Sequence, residues 1–295
     1  MKSMDKKYDV AIAYRIYPKV AKPALGLPFS DDKYRLAEVC LESLRRSLGS
    51  LRAKMWILLD GCPPQYVSLF RKRFGPEDLV LIPLEGIGNH QTFNRQIEIL
   101  LQQNDSELVY FAEDDYFYLP NQFHLMTDFL QACPDVDFIS PFDHLDCYTL
   151  ELHKKREWLR VFSNHHWRTT ATTCLTFLTT RKTLEQTEHI FRTYAKRNYD
   201  SSLWLSLTKS SLLRPIDWCR WAMRQPHLAK IVAKAWWFGA SQIVFGRRRK
   251  LWTPVPGLAT HLDANALSPT IDWPALMREQ ALPPQSQTEL TTPSI

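Results

Sequence analysis

Neither a GxxxxGK[ST] phosphate loop nor a GxGxxG dinucleotide fingerprint occurs in the 295 residues, which removes P-loop kinases and Rossmann dehydrogenases from consideration. The six cysteines, at 40, 62, 133, 147, 174 and 219, contain no CxxC pair and no zinc-ligand spacing. A chain of this size needs no disulfide framework, so a reducing compartment is expected. No HxxxH helix signature is present. No run of eighteen apolar residues occurs either: IVAKAWWFGASQIVF, 231 to 245, comes nearest and is interrupted by Lys234 and Gln242. The apolar run in the opening MKSMDKKYDVAIAYRIYP ends at Arg15, too short for a signal-peptide core. The expectation is a cytoplasmic protein that can touch the inner face of a membrane without crossing it. Internal repeats and a clear linker are also lacking, which favours one elaborated domain.

What is present is ordinary globular material, 45% hydrophobic and 23% charged. The formal net charge of +6 is concentrated, because residues 211 to 252 hold nine Lys/Arg and one Asp. A local anionic partner is therefore expected there.

The first half alternates strand and helix. YDVAIAYR (8 to 15) reads as a strand buried on both faces. Ser30 then precedes a helix with Leu36, Cys40, Leu44 and Leu48 on one stripe, and Ser30 is the expected cap. MWILLD (55 to 60), a Pro-started helix (63 to 74), LVLIPL (79 to 84), a helix carrying Phe93, Ile97, Leu100 and Leu101, LVYFA (108 to 112), a Pro-started helix (120 to 132) and VDFISP (136 to 141) follow. Such interleaving predicts an α/β fold with a mostly parallel central sheet and right-handed crossovers. Beyond 141 a His-, Trp- and Arg-rich stretch (153 to 168) leads to a β-branched strand, TTCLTFLTT, and a helix from about 181 to 195. Residues 266 to 295, rich in Pro, Ser, Thr and Gln, are expected to be a disordered tail.

The sharpest chemical signal is LVYFAEDDYFYLP (108 to 120), where a buried strand runs into Glu113, Asp114 and Asp115. Ligands bind at the carboxyl ends of parallel strands, and three adjacent acids repel unless a cation or hydrogen-bond donors compensate them. Mg²⁺ or Mn²⁺, sharing one or two carboxylates with water and phosphate oxygens, would do so. A solvated acidic turn capping the next helix is the plainer alternative. Asp60, ending the second strand in ILLDGCPP, is either a ligand-reading acid or a turn-forming Asp before Gly.

These residues resemble the GT-A fold glycosyltransferases, especially the family 2 type, over roughly 8 to 263. GNHQTFNRQIEILLQQNDSELVYFAEDD is similar to that family's glycine, Asn/Arg pair, helix and acidic strand end, with Gly88, Asn94 and Arg95 in those places. The order here is Asn-Arg rather than Arg-Asn, and the first-strand loop RIYPKVAKPALGLP is longer than usual. The resemblance implies a single Rossmann-like domain over 1 to 265, with a nucleotide-sugar-binding half (8 to 141) and an acceptor-binding half (142 to 265). It implies Asp115 as metal ligand, Glu113 or Asp114 holding the donor ribose or a metal-bound water, Asp60 reading the donor base, and Arg95 on the donor side. His261, in PVPGLATHLD, stands where a late histidine completes such a metal site, although a lone His is often structural. Asp200, in KRNYDSSLWLSL, stands in the position of the base for inverting transfer, and an N-cap would equally explain it. Asp143 and Asp146 are reserve candidates.

The implied activity is transfer of a sugar from a nucleotide sugar, with a UDP-sugar as expected donor, to a glycan or lipid-linked acceptor. Sugar-phosphate nucleotidyltransferases fit less well, because their glycine-rich opening loop is replaced here by AIAYRIYP. In 211 to 252, cations interleave with Trp218, Trp221, Trp236, Trp237 and Trp252. That composition suits contact with an anionic membrane, a buried Trp cluster with a basic rim, or, less well, nucleic acid. A non-catalytic protein using this segment to bind membrane or nucleic acid is the alternative to an enzyme.

Overall fold

The computed structural model describes residues 7–20, 24–153, 157–210, 212, 218, 221 and 223–281. The chain first lays down β1 (Val10–Ile16), α1 (Lys33–Leu48), β2 (Ala53–Asp60), α2 (Tyr66–Arg71), β3 (Leu79–Leu84), α3 (Asn89–Gln102) and β4 (Leu108–Glu113). Because side chains alternate along a strand, β1 serves two cores at once. Val10, Ile12, Tyr14 and Ile16 join Ala37, Leu41 and Leu44 of α1 on one side of the sheet. Ala11 and Ala13 join Phe93, Ile97 and Leu100 of α3 on the other, their small side chains admitting the Phe93 ring. The stripe Leu36, Cys40, Leu44 and Leu48 is buried as expected. The cap of α1 is not Ser30: Asp32 accepts the backbone N–H groups of Tyr34 and Arg35. A carboxylate two residues nearer the helix does the same work with an added charge-dipole gain.

The second half adds β5 (Tyr116–Tyr118), α4 (Phe123–Ala132), β6 (Phe138–Ile139), α5 (Asp146–Thr149), β7 (Leu159–Phe162), β8 (His165–Thr170), β9 (Phe177–Thr180) and α6 (Arg181–Phe191). A 3-10 turn over Arg192–Lys196 leads to α7 (Asp200–Thr208), α8 (Pro226–Val244), β10 (Leu251–Val255), β11 (Ala259–His261) and α9 (Trp273–Ala281). The sheet order is β3-β2-β1-β4-β9-β6-β10-β8-β7. Only β8 and β9 run against the rest, so the sheet is mostly parallel. The His/Trp/Arg-rich stretch is the β7–β8 hairpin at its edge. A separate two-stranded ribbon pairs β5 with β11, placing His261 opposite Tyr116.

Two further expectations fail, and the Trp-rich segment follows one of the readings offered for it, a buried cluster with a basic rim. Neither proline-started helix begins at its proline: α2 starts at Tyr66, after Pro63 and Pro64, and α4 at Phe123, after Asn121 takes a left-handed φ of 55°. Disorder from residue 266 is not found over 266 to 281, because α9 buries Trp273 and Met277 against α1 and β5, with Leu36, Val39, Cys40 and Phe117; residues 282 to 295 lie outside the described residues. The Trp-rich segment is largely interior. Trp221 and Trp252 are buried, Trp218 and Trp236 meet edge to face at 5.8 Å, and only Trp237 of the five points outward. Its basic run is partly spent as well: Arg249 and Lys250 pair with Asp137 and Asp135. Arg214 and Arg220 lie outside the described residues.

Helices α7 and α8 run side by side, with the hydroxyls of Ser202 and Ser206 donating to the carbonyls of Ile231 and Ala235. Gly239 fits tightly against α7, for a β-carbon there would sit 2.8 Å from Ser206 Cβ. Gly239→Val is therefore expected to destabilise the fold by about 2 kcal/mol, read as a lower urea midpoint at unchanged slope.

Candidate active site

The chain lays down β1, β2 and β3 in one direction across the sheet, then returns to place β4 on the other side of β1. That reversal opens a crevice between β1 and β4 at their carboxyl ends, the place where open α/β sheets bind ligands. A cleft of about 550 Å³ lies there, walled by Arg15, Tyr17, Lys19, Lys33, Asp60, Gly88, Asn89, Glu113, Asp114 and Asp115 among others.

Each of the three adjacent acids has a different partner. Glu113 lies beside Arg15 in the strand register, forms an ion pair with it, and accepts a 2.9 Å hydrogen bond from the Thr176 hydroxyl. Asp114 is buried and paired with Lys33 at 2.7 Å, and it accepts the Tyr17 backbone N–H at 3.1 Å. Burial raises the Asp114 pKa despite Lys33, and the negative charge of Asp115 adds to the rise. Asp115 stands 3.3 Å from His261 Nε2. Burial alone would raise the Asp115 pKa, but His261, Lys33 and Arg15 hold it down to about 2. For His261 burial opposes the charged form, and Asp115 outweighs it to bring the pKa up to about 9.

The β5–β11 ribbon produces this pair across 146 residues of chain, with the Leu262 N–H donating to the Asp115 carbonyl at 2.8 Å to lock the register. Asp115 Oδ1 is buried and has no hydrogen-bond partner. A buried, ionised oxygen left unpaired is costly, so it marks a place for a cation. No group of three His, Cys, Asp or Glu able to hold a metal exists among the described residues. The donor set is therefore one carboxylate and one imidazole, which fits Mn²⁺ or Mg²⁺ only if phosphate oxygens and water complete the shell.

Asp60 ends β2 on the cleft wall, with both carboxylate oxygens accepting backbone N–H groups, Ile87 at 2.7 Å and Gly88 at 2.8 Å. It thus shapes the loop before α3, where Gly88 takes a φ of 82° and no side chain caps the helix. Gly88, Asn89 and Thr92 at the start of α3 line the cleft, so the positive dipole end of that helix borders it, an arrangement that suits phosphate.

Asp200 is the first residue of α7 and not its cap, which is Tyr199. One of its oxygens accepts the Ser201 N–H at 2.6 Å, and it has no ion-pair partner among the described residues. It does not line the cleft wall but its charge reaches the same corner. Burial pushes up the Cys174 thiol and the Tyr194 phenol, and both also feel Asp200 and Glu113.

Arg95 is not brought to the cleft. It lies exposed on α3, paired with Glu98 at 2.7 Å, and Asn94 beside it bonds Glu98 and Arg192. The cleft arginine is Arg15, which donates to Asn89 and lies over the Phe93 ring. Asp143 is buried between Arg168 and the Tyr148 hydroxyl, each at 2.6 Å, so it is a structural anion. Asp146 is half-exposed beside His144.

Arg15 and Lys33 are among the cleft residues that sequence reasoning missed. Both left a trace: Arg15 breaks a buried strand at its carboxyl end, and Lys33 puts a cation in a helix's first turn, where the dipole disfavours it. Each misfit residue marks an acidic partner on β4 or just after it.

No protein-family model and no curated protein matches the sequence. Among solved structures, the galactosyltransferase LgtC in complex with donor and acceptor sugar analogues aligns over 92% of this chain and 95% of its own, at 10% identity and a TM-score of 0.43. The TarS protein of S. aureus, residues 1–349, aligns over 77% of this chain and 70% of its own, at 14% identity and a TM-score of 0.42. A nucleotide-diphospho-sugar transferase from Desulfovibrio desulfuricans G20 aligns over 45% of this chain, at 16% identity and a TM-score of 0.34; the chain spans 57% of its length.

Proposed function

We propose that the chain is a glycosyltransferase that moves a sugar from a nucleotide-sugar donor, a UDP-sugar by preference, to a hydroxyl of a glycan or lipid-linked acceptor. The observation that carries this reading is the unpartnered Asp115 Oδ1 beside His261, on the wall of a cleft at the strand-order reversal. Asp115 and His261 would hold Mn²⁺ or Mg²⁺. Bound there, the ion would neutralise charge gathering on the departing diphosphate.

The protein's own groups support the same end. The start of α3 turns its positive dipole end toward phosphate oxygens, and Arg15, Lys19 and Lys33 set three cations among the cleft's four carboxylates, where they can meet a diphosphate. Glu113 and Asp114 are committed to Arg15 and Lys33, so their role is to orient those cations, with Asp114 left one oxygen for a ribose hydroxyl. Asp200 would be the base for inverting transfer. It takes the proton of the acceptor hydroxyl as that oxygen bonds to the anomeric carbon, while the bond to the phosphate oxygen breaks and its electron pair leaves with the nucleoside diphosphate.

Nucleotide sugars with Mn²⁺ should raise the thermal unfolding midpoint by several degrees, since a ligand that binds only the native state stabilises it by about 2.7 kcal/mol at a hundred times its Kd. UDP-sugars, GDP-sugars and free nucleotides, each with and without Mn²⁺, form the screen. Indifference to all of them would refute the proposal.

A further inference from the structure

Helix α8 carries two faces of opposite purpose. Leu228, Ile231, Val232, Ala235 and Ile243 are buried, and this inner face packs against α7. On the outer face Lys230 and Trp237 fall on one line, since residues seven apart return to within about 20° on an α-helix, and Val244 is exposed beyond the kink at Gly239. A solvent-facing stripe normally carries charge. Here the twelve residues from Ala235 to Gly246 contain none. Trp237 is 84% exposed and Phe245, just past the helix, 88%; Val244 and Met223 are exposed as well.

The apolar stripe is bracketed by cations. Arg224 and Lys230 precede it, Arg247 and Arg248 follow it, and no Asp or Glu occurs from Trp218 to Lys250. Arg224, Lys230 and Arg248 are exposed with no carboxylate in ion-pair range among the described residues; Arg247 lies 3.4 Å from Asp137 yet stays mostly exposed. Lys234 is turned inward, 3.8 Å over the Tyr199 ring, and the exposed Lys230 ammonium lies 5.9 Å from the same ring. Asp137 and Asp135 are held by Arg249 and Lys250, with Arg247 sharing Asp137, which leaves Arg224, Lys230 and Arg248 without a carboxylate partner among the described residues.

We propose that this face of α8 is a docking surface for an anionic lipid bilayer. Trp237, Val244 and Phe245 would enter the headgroup region, and Lys230, Arg247 and Arg248 would meet lipid phosphates. Charge complementarity selects the bilayer over a second copy of the chain, whose identical cations would be brought face to face. The helix is too polar to cross a membrane, and none of the described helices is long and apolar enough to do so. This inference is independent of the sugar-transfer reading.

Co-sedimentation with vesicles of phosphatidylcholine plus phosphatidylserine, against phosphatidylcholine alone, tests it. Binding is expected only with phosphatidylserine and should weaken with added salt. Trp237→Ser with Phe245→Ser should lower vesicle affinity by about a hundredfold with an unchanged unfolding midpoint, because both side chains are exposed, and Lys230→Gln with Arg224→Gln should lower it by about tenfold. No binding to the anionic vesicles, or binding that survives Trp237→Ser with Phe245→Ser, would overturn the proposal. So would a dimer in sedimentation equilibrium, or retention on single-stranded DNA, that the same pair abolishes while vesicle binding persists.

Discussion

Asp115→Asn should cut sugar-transfer turnover by at least about a hundredfold and remove its dependence on Mn²⁺, while the protein stays folded. The change is nearly isosteric, so packing around the half-buried side chain is kept. What it removes is the ionised oxygen that has no hydrogen-bond partner and the charge that draws His261 toward protonation. Two outcomes separate the possible roles of the pair. If Asp115 and His261 hold a metal, Asp115→Asn should also weaken nucleotide binding only when Mn²⁺ is present. If they are merely a structural ion pair, the variant should lose stability and show the same nucleotide affinity with and without metal. Turnover that persists unchanged would eliminate the metal site and leave the cleft as a binding pocket of another kind.

The legible part of the site was the part encoded locally. Buried β1 and β4 announced themselves as apolar runs, and the EDD end of β4 could be placed at the sheet edge because parallel sheets bind ligands there. His261 could be reached only through the family pattern. Its position depends on a three-residue ribbon, too short to show periodicity, pairing elements far apart in sequence. Arg95 misled because the role of the Asn-Arg pair was carried over from the family resemblance. On α3 residue 95 falls on the solvent face, whereas Asn89 at the helix start meets Arg15. The basic Trp-rich segment shows the opposite limit. Composition cannot tell an indole packed inside from one facing water, and Trp236 and Trp237, adjacent in sequence, are divided between the two fates by a rotation of about 100° along α8.

The end of the fold was hidden by averaging, and this gives the largest stability effect to expect. Over residues 266 to 295 the polar composition outweighs two large apolar residues one helical turn apart, Trp273 and Met277, both without solvent exposure. Trp273 also donates its indole N–H to the Ser268 carbonyl at 2.7 Å and meets Phe117 edge to face at 6.4 Å. Trp273→Ala should therefore cost about 3–5 kcal/mol, the range for emptying a large aromatic site, read from the shift in urea midpoint. Trp273→Phe should recover part of that loss by refilling the space without the hydrogen bond. Phe117 lies in β5, opposite Thr260 and one residue from the Tyr116–His261 pairing. α9 thus backs the ribbon that sets the distance between Asp115 and His261. Trp273→Ala should then lower Mn²⁺-dependent nucleotide binding even at temperatures where the protein remains folded, an effect that a detached polar tail could not produce.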